Sequence, residues 1–279
     1  SVVKKQQTRT FRGNNFRIGI IGCGNMGYAL LEGLIYQKVL PRRNIYVSDI
    51  NTKLLNQVQK KFKITPAENS EIAKSCEVVI IAVKPQQVPE LLTRIKENFS
   101  STILISLAAG LTTRFLESCI LPKKIPVIRV MPNLLVKVKQ GVIGYCPGRM
   151  ASGLDFLVEK IFRPVGKVIK IQEGKMDFLT AISGSGPGYL FYLAELLEKI
   201  ARKRGFDAKT AKEMISSLFL GTGLLLKESK ESAEELKRRV CSPGGTTLAG
   251  LSVLEKKKFP GILEKVIQQA EKRSRQLSK

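Results

Sequence analysis

Histidine is absent from this 279-residue chain. The commonest metal ligand and the commonest general acid–base group are therefore missing together, and any chemistry must proceed without both. Acidic residues are scarce, 23 against 47 basic ones, for a formal charge of +24. The excess is spread along the chain, with no run of six like charges and no interleaved aromatics that would stack bases. Nucleic acid is therefore not an expected partner; the field instead favours small anionic molecules. No apolar run approaches the ~20 residues that a membrane helix needs, so no membrane partner is expected. None of the five cysteines (Cys23, Cys76, Cys119, Cys146, Cys241) forms a CxxC pair. That argues for a reducing, cytoplasmic setting and against structural zinc, and no metal site is expected. What remains is an ordinary folded composition, 43% hydrophobic, long enough for about two domains.

Residues 1–15 are polar, basic and unpatterned, and predict a disordered arm. Its acid-free composition is compatible with an organelle transit segment, and equally with a plain tail. Next, Phe16–Ile21 reads as a buried strand running into Gly22-Cys23-Gly24-Asn25-Met26-Gly27. A helix follows, marked by Ala29, Leu30, Gly33 and Leu34. This is G-x-G-x-x-G with a strand before it and a helix after it, the setting in which it binds a dinucleotide. Gly22 makes the tight turn, Gly24 lets a pyrophosphate approach the backbone, and Gly27 lets the helix lie close to the strand.

A second strand, Asn44–Ser48, ends in Asp49. An acid at this place accepts the two ribose hydroxyls of the adenosine and repels a 2′-phosphate, which leans the cofactor toward NADH over NADPH. Ser48, Asn51 and Lys53 offer partners for a phosphate, and a plain turn or N-cap role for Asp49 stays open. Apolar strands then recur at Glu77–Val83, Thr102–Ser106, Pro126–Val130, Gly141–Tyr145 and Val165–Ile171, with helices between. Such alternation builds a doubly wound parallel sheet whose ligands sit at the carboxyl ends of the strands. Lys84, Ala108, Ala109 and Asn133 fall at such ends.

After Gln172 the strands stop. Met176–Gly205 reads as one helix with Gly205 past its end. A second begins at Asp207 and is interrupted at Gly221-Thr222-Gly223. Ser183–Gly188 lacks the lysine of a phosphate loop, and its small residues suit close packing of two helices, within one subunit or between two. Near the C-terminus lies Ser242-Pro243-Gly244-Gly245-Thr246-Thr247. A glycine turn feeding a helix, with Thr246 or Thr247 as its cap, leaves several N–H groups pointing one way, a receptor for a carboxylate or phosphate. A plain capping loop is the bland alternative.

A nicotinamide-binding half and an anion-binding turn suggest hydride transfer to a small carboxylic acid. Without histidine an imine is the better acceptor, because it binds already protonated; Thr247 can orient its nitrogen by a hydrogen bond.

Ile18–Gly27 (IGIIGCGNMG), Val83-Lys84-Pro85-Gln86, Ser106–Gly110 (SLAAG), Met131-Pro132-Asn133, Ser183–Tyr189 (SGSGPGY) and Ser242–Leu251 (SPGGTTLAGL) together closely resemble the pyrroline-5-carboxylate reductase family. The resemblance runs in order from about Arg17 to Leu277. It implies an N-terminal Rossmann domain, here 16–173, and an all-helical substrate-binding and dimerisation domain, here 174–279. It implies reduction of 1-pyrroline-5-carboxylate to L-proline by NADPH or NADH, the last step of proline biosynthesis, in a homodimer or a larger assembly. The carboxylate of the imino acid would lie on Ser242, Gly244, Gly245, Thr246 and Thr247, with Thr247 as the catalytic hydroxyl. Cofactor contacts would fall on Gly24, Asn25, Met26, Lys84, Pro85, Ala108 and Asn133, with Val83 and Ala109 beside them and Asn69 near the adenosine.

Two departures stand out. Members of the family usually carry Thr-Pro where this chain has Leu134-Leu135, and the Asn-Arg pair frequent after the second strand is missing. The alternatives are a catalytically silent dinucleotide-binding relative and a reductase of another small cyclic imino acid.

Overall fold

The computed structural model describes residues 11, 13 and 15–277. Four-residue runs of branched apolar side chains dominate the first half, and they form strands because such side chains pack well on a pleated surface covered on both faces. The chain opens with β1 (Ile18–Ile21), α1 (Asn25–Tyr36), β2 (Ile45–Ser48), α2 (Thr52–Phe62), β3 (Thr65–Pro66), α3 (Asn69–Ser75) and β4 (Val78–Ile81). It continues with α4 (Val88–Ile95), β5 (Ile103–Ser106), α5 (Thr113–Cys119), β6 (Val127–Met131), β7 (Gly141–Pro147), α6 (Asp155–Phe162) and β8 (Gly166–Lys170). The strands make one sheet in the order β3-β2-β1-β4-β5-β6-β7-β8. Every pairing is parallel except β6 with β7, so β7 and β8 run against the rest.

One core, on one face of the sheet, gathers Ile20, Leu31, Leu34 and Phe162; a second gathers Ile72, Leu92 and Leu116. The register positions the site. Ile21 pairs with Ser48 and with Ile81, and Ile81 with Ser106, so four strands end flush. The residues that follow them, Gly22, Asp49, Ala82 and Leu107, emerge along one edge. β6 runs past that row, because Ser106 pairs with Arg129 and the strand continues to Met131.

Beyond β8 the single helix expected over Met176–Gly205 is broken. A short α7 (Met176–Leu179) passes into a wider π-type turn at Thr180–Gly184, then α8 spans Gly186–Lys203. Pro187 in the first turn of α8 explains the restart, and the Ser183 carbonyl, taken by Asn133, explains part of the break. α9 (Ala208–Glu228) is capped by Asp207, which accepts from Lys209 N and Thr210 N. It runs unbroken through Gly221-Thr222-Gly223, contrary to expectation: each glycine costs a helix only about 1 kcal/mol, which a long helix absorbs. α10 (Ala233–Arg239), α11 (Thr246–Lys256) and α12 (Phe259–Leu277) complete the chain.

Two compact units result. One holds the residues up to Gly184 together with those from Ala270 onward; the other is Ser185–Gln269. Buried Met176 and Ala181 keep the segment up to Gly184 with the sheet. In the second unit, Leu190, Phe191, Leu218, Leu220, Leu224 and Leu225 are all exposed. Among the described residues no helix is long and apolar enough to cross a membrane.

The arm expected to be disordered lies mostly outside the described residues. At Phe11 the expectation is corrected. Its ring is buried and meets Phe16 edge-on at 5.2 Å, and Lys160 Nζ donates to the carbonyls of Phe11 and Gly13 at 3.2 and 2.7 Å.

Candidate functional site

The glycine loop has the geometry its sequence predicts. Gly22 sits at φ +104°, and a Cβ there would lie 2.7 Å from the Ala82 carbonyl oxygen. A Cβ on Gly27 would come within 1.9 Å of the Gly22 carbonyl oxygen, so α1 can start only if that position has no side chain. Gly24 faces open space. It is the N-cap of α1 and supplies no side-chain bond, which leaves the first-turn N–H groups of α1 available to an anion. Asn25 and Met26 open this helix.

Asp49 is fastened to that loop. Its Oδ2 accepts from the backbone N–H of Cys23 at 2.5 Å and its Oδ1 from that of Asn51 at 2.7 Å. The N-cap of α2 is Asn51, whose Oδ1 accepts from Leu54 N; Asp49 is therefore not the cap, while its bond from Asn51 N is that of a turn residue. Burial, reinforced by the Asp49 charge, pushes the Cys23 thiol up to about 12, so it stays neutral.

Along the carboxyl edge of β1, β2 and β4 lies a cleft of about 790 Å³, which collects Gly22, Gly24, Ser48, Asp49, Asn69, Val83 and Lys84. Asn69 Oδ1 is buried there with no hydrogen-bond partner, an acceptor whose desolvation is uncompensated until a donor arrives. Lys84 caps the short turn Pro85–Gln87, its N–H donating to Gln87 Oε1 at 3.2 Å. An elongated cleft ending at a helix N-terminus, with an orphaned acceptor on its wall, fits a dinucleotide.

Ala108 and Ala109 follow β5, where Ala108 N donates to Ser106 Oγ at 3.3 Å. Asn133 is buried and both ends of its carboxamide are used within the protein. Nδ2 donates to the Ser183 carbonyl and Oδ1 accepts from Val142 N, each at 3.0 Å. Both ends of the side chain thus already serve internal bonds at the position expected to contact the cofactor.

Sequence reading missed three residues. Gln87 and Arg94 line the same cleft; with Leu91 they repeat at helical spacing, a signal that was present. Lys137, on the turn after β6, shares a second recess of about 450 Å³ with Cys23, Gly24 and Asn25. Among the described residues no group of His, Cys, Asp or Glu is arranged to hold a metal ion.

The Ser242–Thr247 turn belongs to the second unit. Gly244 adopts φ +70°, and Gly245 N donates to the Ser242 carbonyl at 2.9 Å. The N-cap of α11 is Gly245, without a side-chain bond. Neither threonine is the cap, contrary to expectation; they are the first two helical residues, exposed, with hydroxyls not spent on capping. The first N–H groups of α11 are correspondingly left for an anion.

The family model described as pyrroline-5-carboxylate reductase dimerisation matches residues 173–277, and one described as NADP oxidoreductase, coenzyme F420-dependent, matches residues 17–110. The pyrroline-5-carboxylate reductase of Methanosarcina acetivorans is 34% identical over 268 residues, 95% of this chain and 99% of that protein. The chain belongs to the pyrroline-5-carboxylate reductase family. The solved reductase of Coxiella burnetii superposes with a TM-score of 0.90 at 32% identity, covering 95% of this chain and all of that one. A Plasmodium falciparum pyrroline carboxylate reductase with NADP bound superposes at 0.82 with 30% identity, covering 95% and 99%. As in those reductases, the likeness extends across the sheet and the helical half together.

Proposed function

We propose that this protein reduces the C=N bond of 1-pyrroline-5-carboxylate to L-proline, with NADH or NADPH as cofactor. One observation carries the reading: the likeness to pyrroline-5-carboxylate reductases spans 95% of this chain and 99% of the archaeal relative, so no domain of the reductase is left unmatched. When bound, the reduced nicotinamide supplies a hydride.

The residues of the chain divide the remaining work. The N–H groups at the start of α1 receive the pyrophosphate, and Asn69 and Lys84 hold the adenosine end in the cleft. The Ser242–Thr247 turn receives the substrate carboxylate on the N-terminus of α11, where the helix dipole favours negative charge. Thr247 accepts a hydrogen bond from the protonated ring nitrogen and orients the imine carbon. No histidine is needed, because a protonated imine requires no further acid. Asp49 favours NADH: it stands on the cleft wall and a carboxylate there repels a 2′-phosphate. The protein works as a homodimer, supported by the dimerisation model over residues 173–277 and by the uncovered apolar faces of α8 and α9.

The test is oxidation of NADH and NADPH, followed by absorbance, with pyrroline-5-carboxylate supplied. Turnover supports the reading. Cofactor binding without turnover on this or any other cyclic imino acid would instead identify a silent dinucleotide-binding relative.

A further inference from the structure

Asn133 lies two residues past the end of β6 and is only 3% exposed. A carboxamide presents an acceptor at one end and a donor at the other, and here each end bonds a different neighbour. Val142, at the start of β7, donates to Oδ1, and the Ser183 carbonyl in the π-type turn accepts from Nδ2. Backbone and side chains crowd the same place, since a methyl group on Gly184 would lie 3.1 Å from Met131 Cε. A second tie stands earlier, on β6 itself. Arg129 Nη1 meets Glu173 Oε1 at 2.5 Å, and Glu173 Oε2 accepts from Thr113 Oγ1 and Thr113 N at 2.7 and 3.1 Å. The segment from Glu173 to Gly184 is thus fastened near both of its ends, to β6 through Arg129 and to the residues just after it through Asn133.

We propose that Asn133 is a positioning residue for imine reduction, its carboxamide clamping the Ser183–Gly184 backbone to the residues just after β6, and not a side-chain contact to the cofactor. The proposal rests on the reductase reading for its catalytic readout. The second N–H and the second lone pair of the carboxamide are left over by these two bonds, but at 3% exposure the side chain offers a nicotinamide almost no surface to reach them.

Asn133→Asp and Asn133→Ala separate the two roles. An ionised aspartate has no donor and sets an oxygen against the Ser183 carbonyl. Protonated, it has the shape of the carboxamide: its O–H donates to Ser183 while its other oxygen still accepts from Val142. At about pH 8 both variants are expected to lose kcat by about 10- to 100-fold, while the Kd for NADPH, read by fluorescence, moves less than about threefold. Burial raises the introduced carboxyl, so acidification to about pH 6 returns Asn133→Asp to within a few-fold of wild type and leaves Asn133→Ala unchanged. Glu173 and Arg129 are present in both variants, so only a limb unique to Asn133→Asp counts. A tenfold rise in the Kd for NADPH with kcat retained at saturation would overturn the proposal, as would identical pH profiles for the two variants. Wild type assayed alongside reports on the reductase reading separately. Were it inactive, thermal melting would still decide the clamp: the melting temperature of Asn133→Asp should rise relative to Asn133→Ala on acidification, and no such rise would refute it.

Discussion

Asp49 holds the Cys23 N–H at 2.5 Å, which joins the carboxyl end of β2 to the loop that follows β1. The acid is therefore part of the glycine loop before any ribose reaches it. In Asp49→Asn one of the two backbone N–H groups must lose its acceptor, because a carboxamide has only one oxygen. Affinity for NADH is expected to fall about tenfold, about 1.4 kcal/mol. The ratio of NADH to NADPH affinity should fall as well, since the repulsion of a 2′-phosphate is removed. Fluorescence titration with both cofactors measures this, and an unchanged ratio would show that Asp49 reads no ribose.

Two neighbouring glycines should fail differently. Gly27→Ala drives a methyl group toward the Gly22 carbonyl and is expected to destabilise the first unit by more than about 3 kcal/mol, with a matching loss of melting temperature. Gly24→Ala meets nothing within 4 Å. It should fold as wild type and lose cofactor affinity about tenfold or more, because its methyl group occupies the path of the pyrophosphate.

Thr247 is exposed and makes no capping bond, so its removal should cost little stability. Thr247→Ala is expected to lower kcat by about 10²-fold with a melting temperature within about 2 °C of wild type. Thr247→Ser should retain most of the activity. Full activity in the alanine variant would remove the hydroxyl from the reaction.

The amino end of β1 predicts an acid limb of stability. Burial pushes the Glu77 carboxyl up, but hydrogen bonds from the Arg17 side chain and backbone outweigh it and hold the group below its ordinary range. A lowered folded value means that the ionised form is favoured by folding. Its contribution is complete above the ordinary carboxylate value, about pH 4.3, and is lost as pH falls through the lower folded value. Asp155 behaves alike: hydrogen bonds from Lys170 and Tyr145 outweigh its burial. Glu77→Gln should lower the melting temperature at neutral pH and flatten its decline in acid. An unaltered acid limb would assign the stabilisation elsewhere.

The parts of the fold written in local pattern were legible: the buried strands, the glycine loop with Gly22 and Gly27, the Asp207 cap, the helical second half. β3 was not, because two residues paired to β2 carry no periodicity of their own. The break at Thr180–Gly184 was hidden for a different reason. The Ser183 carbonyl finds its donor in Asn133, fifty positions away, and no window of local sequence contains both. The same distance hid the internal tie that Asn133 makes. Gln87 and Arg94, by contrast, lay in a helical repeat that could have been read.

The apolar faces left uncovered on α8 and α9 make concentration a variable of stability. A unit in which Ala201, Ala211 and Ile215 are among the few buried side chains has little core of its own to oppose the conformational entropy of two long helices. Association then supplies the missing burial, and mass action ties the folded population to the amount of protein present. Dilution should act on this chain as a mild denaturant. A lone copy, newly made and unpartnered, would present the same surface to chaperones and proteases until a second copy arrives.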